Sequence, residues 1–284
     1  PETSTTIKSG SIVSPELPIE FINTGELDIK TTYVLPVTIK SVEGIGVLQS
    51  AKTYYYVFRG ASLINVVCNI SRNRAYPDFK NDSKFNNLTE NTMEILFKAN
   101  SFPNTLNTLM GIESNYLLRI GDATIPNNQL QVATSVNNCT SADLQLESGK
   151  WYHVAVAFNK GNVKVYINGV EKLSGSTGKS SVSLGAKHTN EEDGSRCFWV
   201  GYSYKDDRYF DGVVSEVRIW NRALTAEEIQ ATNHFYTIEP ESEGLIAYWK
   251  FDEGSGTVAK DYSVSGYDLT IEKEPKWESV SLPQ

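Results

Sequence analysis

The stretch between Gly149 and Leu173 constrains this chain more than any other. In Gly149-Lys-Trp-Tyr-His-Val-Ala-Val-Ala-Phe158, apolar side chains recur at every second position, with Val154, Val156 and Phe158 on one face. Alternation of that period marks a strand with two unlike faces. The turn Asn159-Lys-Gly-Asn162 leads into Val163-Lys-Val-Tyr-Ile167, and Asn168-Gly169 returns the chain along Val170–Leu173. Asn-Gly between two such runs is the strongest short hairpin signal, because both central residues of the turn need positive φ. The spacing predicts a three-stranded meander.

The same punctuation continues downstream. Phe198-Trp-Val-Gly-Tyr202 and Phe210–Trp220 read as strands separated by a polar loop. Leu224–Gln230 is the one clear helix, with Thr225 and Glu228 at capping-box spacing. Gly244-Leu-Ile-Ala-Tyr-Trp-Lys-Phe251 is an apolar strand closed by the turn Asp252-Glu-Gly-Ser-Gly256. The chain is all-β from roughly Leu63 to its end.

Residues 1–60 carry a second set of strands. Thr32-Tyr-Val-Leu-Pro-Val-Thr-Ile39 alternates, with Tyr33, Leu35, Val37 and Ile39 on one face. Pro36 cannot donate to a ladder, which predicts an edge strand or a bulge. Lys52-Thr-Tyr-Tyr-Tyr-Val-Phe58 is another strand, and weaker ones are expected near Thr5–Ile12 and Leu17–Ile22. Four strands would make a small immunoglobulin-like unit, against the roughly seven strands in ~100 residues of a full immunoglobulin sandwich. The unit is then minimal, or its first strands lie upstream. A boundary falls between this unit (1–60) and a larger sandwich (63–284).

Composition removes several classes of function. The 284 residues carry a formal net charge of −8, which argues against nucleic acid, since a phosphate backbone needs a basic face. No apolar stretch approaches the ~20 residues of a membrane helix. The chain begins at Pro1 and reads as a mature or trimmed form, so the lack of a leader does not imply cytosol. Cys68, Cys139 and Cys197 show no zinc-ligand spacing. Cys139 and Cys197 sit in polar stretches and are the better candidates for one disulfide; three free buried thiols are the equal alternative.

Three blocks resemble the laminin-G-like, or concanavalin A-like lectin/glucanase, superfamily. They are Trp151-Tyr-His153 hairpinned into Tyr166-Ile-Asn-Gly169; Phe210-Asp-Gly212 through Glu216-Val-Arg-Ile-Trp220 with the helix that follows; and Ala247-Tyr-Trp-Lys-Phe-Asp-Glu-Gly-Ser-Gly256 with Asp261-Tyr-Ser. The resemblance implies a jelly-roll β-sandwich of two antiparallel sheets. The third block often opens such domains and here closes one, so either the sandwich is permuted or this strand is shared between sheets. Thr32–Ile39 followed by Lys52–Val57 resembles the end of an N-terminal domain of unknown function in Bacteroidetes surface lipoproteins, which precedes glycan-binding or glycan-cleaving modules. That likeness implies a spacer, a location outside the cell or on its surface, and anchoring through a removed N-terminal lipid signal.

The expected function is non-catalytic glycan binding; a structural or protein-adhesion module is the alternative. Laminarinase-type relatives present Glu-x-Asp-x-x-Glu on one strand, which brings two carboxylates into range of a glycosidic bond. The matching strand reads Ser215-Glu-Val-Arg-Ile-Trp220. Glu216 is followed on its face by Arg218, a cation expected to keep the acid ionised rather than raise its pKa. His153, His188 and His234 are scattered, and a structural role is expected for His153. The best binding candidate is the loop from Tyr202 to Tyr209. Tyr202, Tyr204 and Tyr209 offer flat faces to a pyranose, and Asp206, Asp207 and Arg208 can form paired hydrogen bonds to vicinal hydroxyls. Trp199 should point away from Phe198 and Val200. Glu191-Glu-Asp193 reads as a solvated loop. The resemblance also implies Ca²⁺, for which Asp211, Asp252 and Asp261 are the candidate ligands.

Overall fold

The computed structural model describes residues 4–21, 27, 31–58, 63–188 and 196–283. The chain divides into two compact units, Pro1–Ser62 with Pro283–Gln284, and Leu63–Leu282. No helix among the described residues is long and apolar enough to cross a membrane.

In the first unit, β1 (Tyr33–Thr38) pairs antiparallel with β2 (Thr53–Phe58), with Tyr33 opposite Phe58 and Pro36 opposite Tyr55. Among the described residues each strand pairs along one edge only, and an edge strand is where a proline is tolerated. Tyr33 stacks on Phe58 (ring centroids 6.0 Å apart), and Phe21 meets the same ring edge-on at 4.8 Å. The weaker strands expected near Thr5–Ile12 and Leu17–Ile22 are not formed among the described residues. Gly10, Pro15 and Pro18 interrupt that segment: prolines remove ladder donors, and Lys8–Ser11 closes a turn instead. Among the described residues the first unit thus holds two strands, against the four of the expected immunoglobulin-like unit.

The second unit is two antiparallel sheets packed face to face. One runs in the order β11 (Val170–Ser176), β10 (Asn162–Ile167), β9 (Trp151–Asn159), β5 (Glu90–Ala99), β13 (Gly212–Trp220), β3 (Ile64–Asn69), β17 (Lys276–Leu282), with β14 (Leu245–Trp249) also on β13. The other runs β15 (Val258–Ala259), β16 (Leu269–Ile271), β4 (Ala75–Pro77), β12 (Trp199–Val200), β6 (Asn107–Ile112), β7 (Tyr116–Asp122), β8 (Ile125–Thr134). The predicted meander is β9–β10–β11. Its turn is made by Asn168 and Gly169 at φ of 49° and 77°, and β11 runs three residues further than expected.

Alternation explains the core. Met93, Ile95 and Phe97 of β5, Val154, Val156 and Phe158 of β9, Leu118 and Ile120 of β7, and Leu130 and Val132 of β8 meet in one buried cluster between the sheets. Fully burying each such side chain is worth roughly 1.5–3 kcal/mol. The alternate residues face outward. Across the eight-stranded sheet, Ala155, Ala157, Tyr166 and Trp220 are roofed by Leu224 and Ile229. These belong to the segment after β13, whose helix α1 (Ala226–Ile229) is a single turn. Its capping box forms as predicted, with Thr225 Oγ1 accepting from the Glu228 N–H. The strand of the third sequence block, β14, joins the eight-stranded sheet on β13, and Asp261 bridges back to Trp249; the two strands that follow β14 in the chain join the other sheet.

Candidate functional site

β12 places Phe198 and Val200 in the core and Trp199 on the outer face of the seven-stranded sheet, as the alternation predicts. There Trp199 joins Cys197, Tyr202, Tyr76 and Tyr209. The Trp199 ring meets Tyr202 at 5.1 Å and Tyr76 at 5.2 Å, both edge-on, and Tyr202 meets Tyr209 at 4.9 Å. The guanidinium of Arg74 lies 4.7 Å from the Trp199 ring and 4.5 Å from Tyr202. Its other contact is an ion pair with Glu272 at 2.7 Å. Burial would lower the Arg74 pKa, but Glu272 outweighs it, so the net shift is upward. On the far side, Tyr76 stacks on His188 at 3.5 Å, and His188 Nδ1 lies 3.3 Å from Cys197 Sγ.

The loop that was expected to bind is therefore two-layered. Trp199 and Tyr202 are each only 3% exposed, so they form the floor and offer no open stacking face. Tyr76, Tyr204 and Tyr209 are half-buried and form the accessible layer. Arg208 sits over the Tyr204 ring at 5.2 Å and donates to the Tyr204 hydroxyl at 3.3 Å and to Asp207 Oδ1 at 3.3 Å. Arg196 flanks the same ring at 5.5 Å. Asp207 is exposed; the side chain of Asp206 and the Glu191–Asp193 stretch lie outside what is described. Arg74, Tyr76 and His188 entered the cluster unforeseen. Arg74 and Tyr76 lie far from the loop in sequence, and pairing of β12 with β4 brings them beside it; His188 comes from the segment before β12 and is placed by its stacking on Tyr76.

The outer face of the other sheet holds a group that the sequence reading overlooked. His153 and His234 are not scattered: both converge on Glu94, with Nε2 atoms 3.3 Å and 2.6 Å from its Oε1. Its Oε2 accepts from Trp220 Nε1 at 2.7 Å and lies 3.7 Å from Arg218. Arg218 in turn donates to the His234 carbonyl at 2.8 Å and to Glu216, which also accepts from the Tyr248 hydroxyl at 2.6 Å. Glu94, His153, Glu216, Arg218, His234 and Tyr248 are all buried. Burial alone would raise the Glu94 pKa, but the two histidines hold it well below the ordinary carboxylate range. Glu216 goes the other way. Despite Arg218 beside it, burial raises its pKa, which corrects the expectation that the cation would dominate. Nothing in the motif of β13 alone could have announced Glu94, which comes from β5.

The meander closed by Asn168-Gly169, the β13–helix unit and most strands of the two antiparallel sheets fall within residues 73–230, which match the concanavalin A-like lectin/glucanases superfamily. The chain belongs to this superfamily. Among solved structures of this lectin/glucanase type, it is similar to a Bacteroides ovatus ATCC 8483 protein provisionally assigned to carbohydrate binding, at 27% identity and a TM-score of 0.66, over 89% of this chain and 70% of that one. It is more remotely similar to domain 4 of a GH43 extracellular arabinanase from Geobacillus stearothermophilus, in complex with arabinotriose (20% identity, TM-score 0.45, over 76% and 91%). A SAP-like pentraxin from Limulus polyphemus is similar at 15% identity and a TM-score of 0.42, over 61% and 83%. At those TM-scores the last two carry no weight for function. No curated protein matches the chain.

Two of the three carboxylates expected to hold Ca²⁺, Asp261 and Asp211, spend their oxygens on hydrogen bonds. Asp261 Oδ1 accepts from the Tyr248 and Ser263 N–H groups and Oδ2 from that of Tyr267. Asp211 accepts from Ser71, Asn100 and Ser101. Their lone pairs serve hydrogen-bond donors, where a hard cation wants six to eight open oxygens. Among the described residues, neither these nor Asp252 joins a group of three ligand side chains; only Glu94, His153 and His234 do, and Arg218 already supplies that group with positive charge. Cys139 and Cys197, the better candidates for one disulfide, are not joined, and all three cysteines are buried. Cys139 lies in the inter-sheet core and Cys197 on an outer face.

Proposed function

We propose that the chain is a non-catalytic glycan-binding protein, secreted or held at a bacterial cell surface, that takes polysaccharide on the outer face of its seven-stranded sheet. The observation that carries this reading is the layered cluster, in which a buried Trp199–Tyr202 floor, with Arg74 against both rings, supports half-exposed Tyr76, Tyr204 and Tyr209. Aromatic rings over a rigid floor give apolar sugar faces something to lie on at little entropic cost. Arg208 and Asp207 at the rim supply charged donors and acceptors. Membership of the lectin/glucanase superfamily and likeness to the Bacteroides ovatus protein support glycan as the ligand class. A catalytic role is disfavoured because the strand that would carry paired carboxylates carries Glu216 against Arg218 instead.

The test is a broad glycan array on the whole chain, with and without calcium, repeated with Tyr204→Ala/Tyr209→Ala. Selective binding to one polysaccharide class, weakened about tenfold by the double change, is expected; that factor is about 1.4 kcal/mol. Undiminished binding by the folded double variant would remove the site from this face, and loss with chelator would return a metal to it. A second reading is adhesion to another protein through the first unit. It is favoured by β1 and β2, whose Val34, Val57, Tyr54 and Tyr55 are all more than half exposed. A silent array together with a protein partner lost on changing Tyr55 would establish it.

A further inference from the structure

Glu216 stands where two strands leave the same edge of β13. β3 pairs with Val213 and Val214, β14 pairs with Val217 through Trp220, and neither pairs with Ser215 or Glu216. Val214 and Val217 both point into the inter-sheet core. That odd spacing requires one extra residue, and Glu216 supplies it with φ of +49°. Bulges of this kind re-aim a side chain, and a left-handed φ on a residue other than glycine persists only where the surroundings hold it. Here Arg218 and Tyr248 hold Oε2. The other oxygen, Oε1, accepts no hydrogen bond from a described residue, although the side chain is only 3% exposed.

Between the diverging strand ends lies a cavity of about 210 Å³ whose walls include Asn65, Ser215, Glu216, Thr237, Lys250 and Asp252. Ser215 Oγ donates to the Lys250 carbonyl at 2.9 Å, and the Lys250 ammonium lies over the Tyr262 ring at 4.6 Å. Asn65, Thr237 and Asp252 are exposed at the mouth. The cavity thus has acceptors to spare, Glu216 Oε1 within and the Asp252 carboxylate at the rim. Arg218 already neutralises Glu216, so the pocket does not call for a cation. What satisfies it is a neutral molecule rich in hydroxyl donors. At ~30 Å³ per water, the volume equals about seven waters, which suits one sugar ring and not an extended chain.

We infer that this cavity binds a single monosaccharide unit, as a second glycan site on the sheet opposite the aromatic cluster, with Glu216 Oε1 and Asp252 accepting its hydroxyl protons. The ligand class rests on the glycan-binding reading; the location does not. The experiment is saturation-transfer NMR on the full chain with a panel of free neutral hexoses and pentoses and glucosamine, each with and without CaCl₂. It compares the unaltered protein with Asp252→Asn, Asn65→Trp and Tyr209→Ala. Asn65 is exposed and outside the ion-pair network, so filling the mouth with its tryptophan leaves the fold intact. At least one neutral sugar is expected to bind. Its affinity should fall at least tenfold in Asp252→Asn, vanish in Asn65→Trp and stay unchanged in Tyr209→Ala. The inference is overturned if no neutral sugar binds, if binding survives Asn65→Trp, if Tyr209→Ala abolishes it, if it appears only with calcium present, or if only glucosamine binds. A polysaccharide bound on the array with no monosaccharide at the cavity overturns the cavity alone. A monosaccharide bound there while the array ignores Tyr204 and Tyr209 overturns the aromatic site alone.

Discussion

On the outside of the eight-stranded sheet, Glu94, His153, Glu216, Arg218 and His234 are buried beside the apolar cluster that Leu224 and Ile229 roof. On the outside of the seven-stranded sheet, Arg74, Tyr76, Tyr204 and Tyr209 remain half-exposed. The first face turns most of its buried polar residues on one another and leaves Glu216 Oε1 open to the cavity at its rim. The second uses arginine and aromatic rings that tolerate water on one side. A charged group withdrawn from water must be answered by partners of good geometry, so the ion-pair network of the first face serves structure and only its rim offers an acceptor. Rings and guanidinium planes keep their attraction for flat ligands while part-solvated, so the second face is available for binding across its surface. The two faces therefore differ in how much of their polar chemistry is spent on holding the fold together.

The largest expected effect falls on the committed face. Arg218→Ala leaves Glu216 and Glu94 without their cation and the His234 carbonyl without its donor. Breaking a buried pair from one side costs about 3–5 kcal/mol, read as a lowered urea midpoint. By contrast, Tyr204→Ala/Tyr209→Ala should move that midpoint by less than about 1 kcal/mol, because half-exposed surface positions contribute little to folding. If the tyrosine pair proved as destabilising as Arg218, the two faces would not differ in the way described. Thr225→Ala is intermediate. It removes the acceptor for the Glu228 N–H at the start of α1, and loss of such a cap costs about 1 kcal/mol. The loss should appear in urea unfolding and as earlier proteolysis near α1, with glycan binding unaffected.

Much of the sandwich was legible because its strands announce themselves locally. The meander through Asn168-Gly169, the Thr225–Glu228 cap and the outward turn of Trp199 need only neighbours in sequence to be read. What was not legible depends on pairing across the chain. Glu94 meets His153 and His234 only because β5 lies between β9 and β13. Arg74 reaches Trp199 only because β4 and β12 are adjacent. The bulge at Glu216 was hidden because Ser215-Glu216-Val217 reads as plain alternation, and its raised pKa follows from burial that the strand's sequence does not reveal. The candidate loop was found by its tyrosines, but which of them form the floor and which the surface depends on how deeply the neighbouring strands bury them.

The finest discrimination between the faces is by pH, since each carries a histidine. His153 is fully buried, and burial lowers its pKa against the opposing pull of Glu94. His188 is also lowered, again by burial first, with Asp78 opposing and Arg74 adding to the shift. A base whose pKa is depressed on folding is protonated more readily in the unfolded chain. Its stabilising contribution is whole above the ordinary value of 6.5 and is lost as pH falls below it. Glu94, held well below 4.5, keeps its contribution through this window and loses it only in stronger acid. Glu216, raised above 4.5, has the opposite sign: its contribution is whole below 4.5 and lost as pH rises, so it favours the acid side of the same window. The histidines are expected to outweigh it between pH 7.5 and 5.5, giving a lower Tm at pH 5.5. His153 is in the sealed network and His188 on the part-solvated face, where water can accommodate a proton. His153→Gln should therefore flatten the Tm–pH slope more than His188→Gln. The reverse order would mean that the aromatic face is the more tightly sealed of the two, and that its tyrosines are packing rather than a platform for sugar.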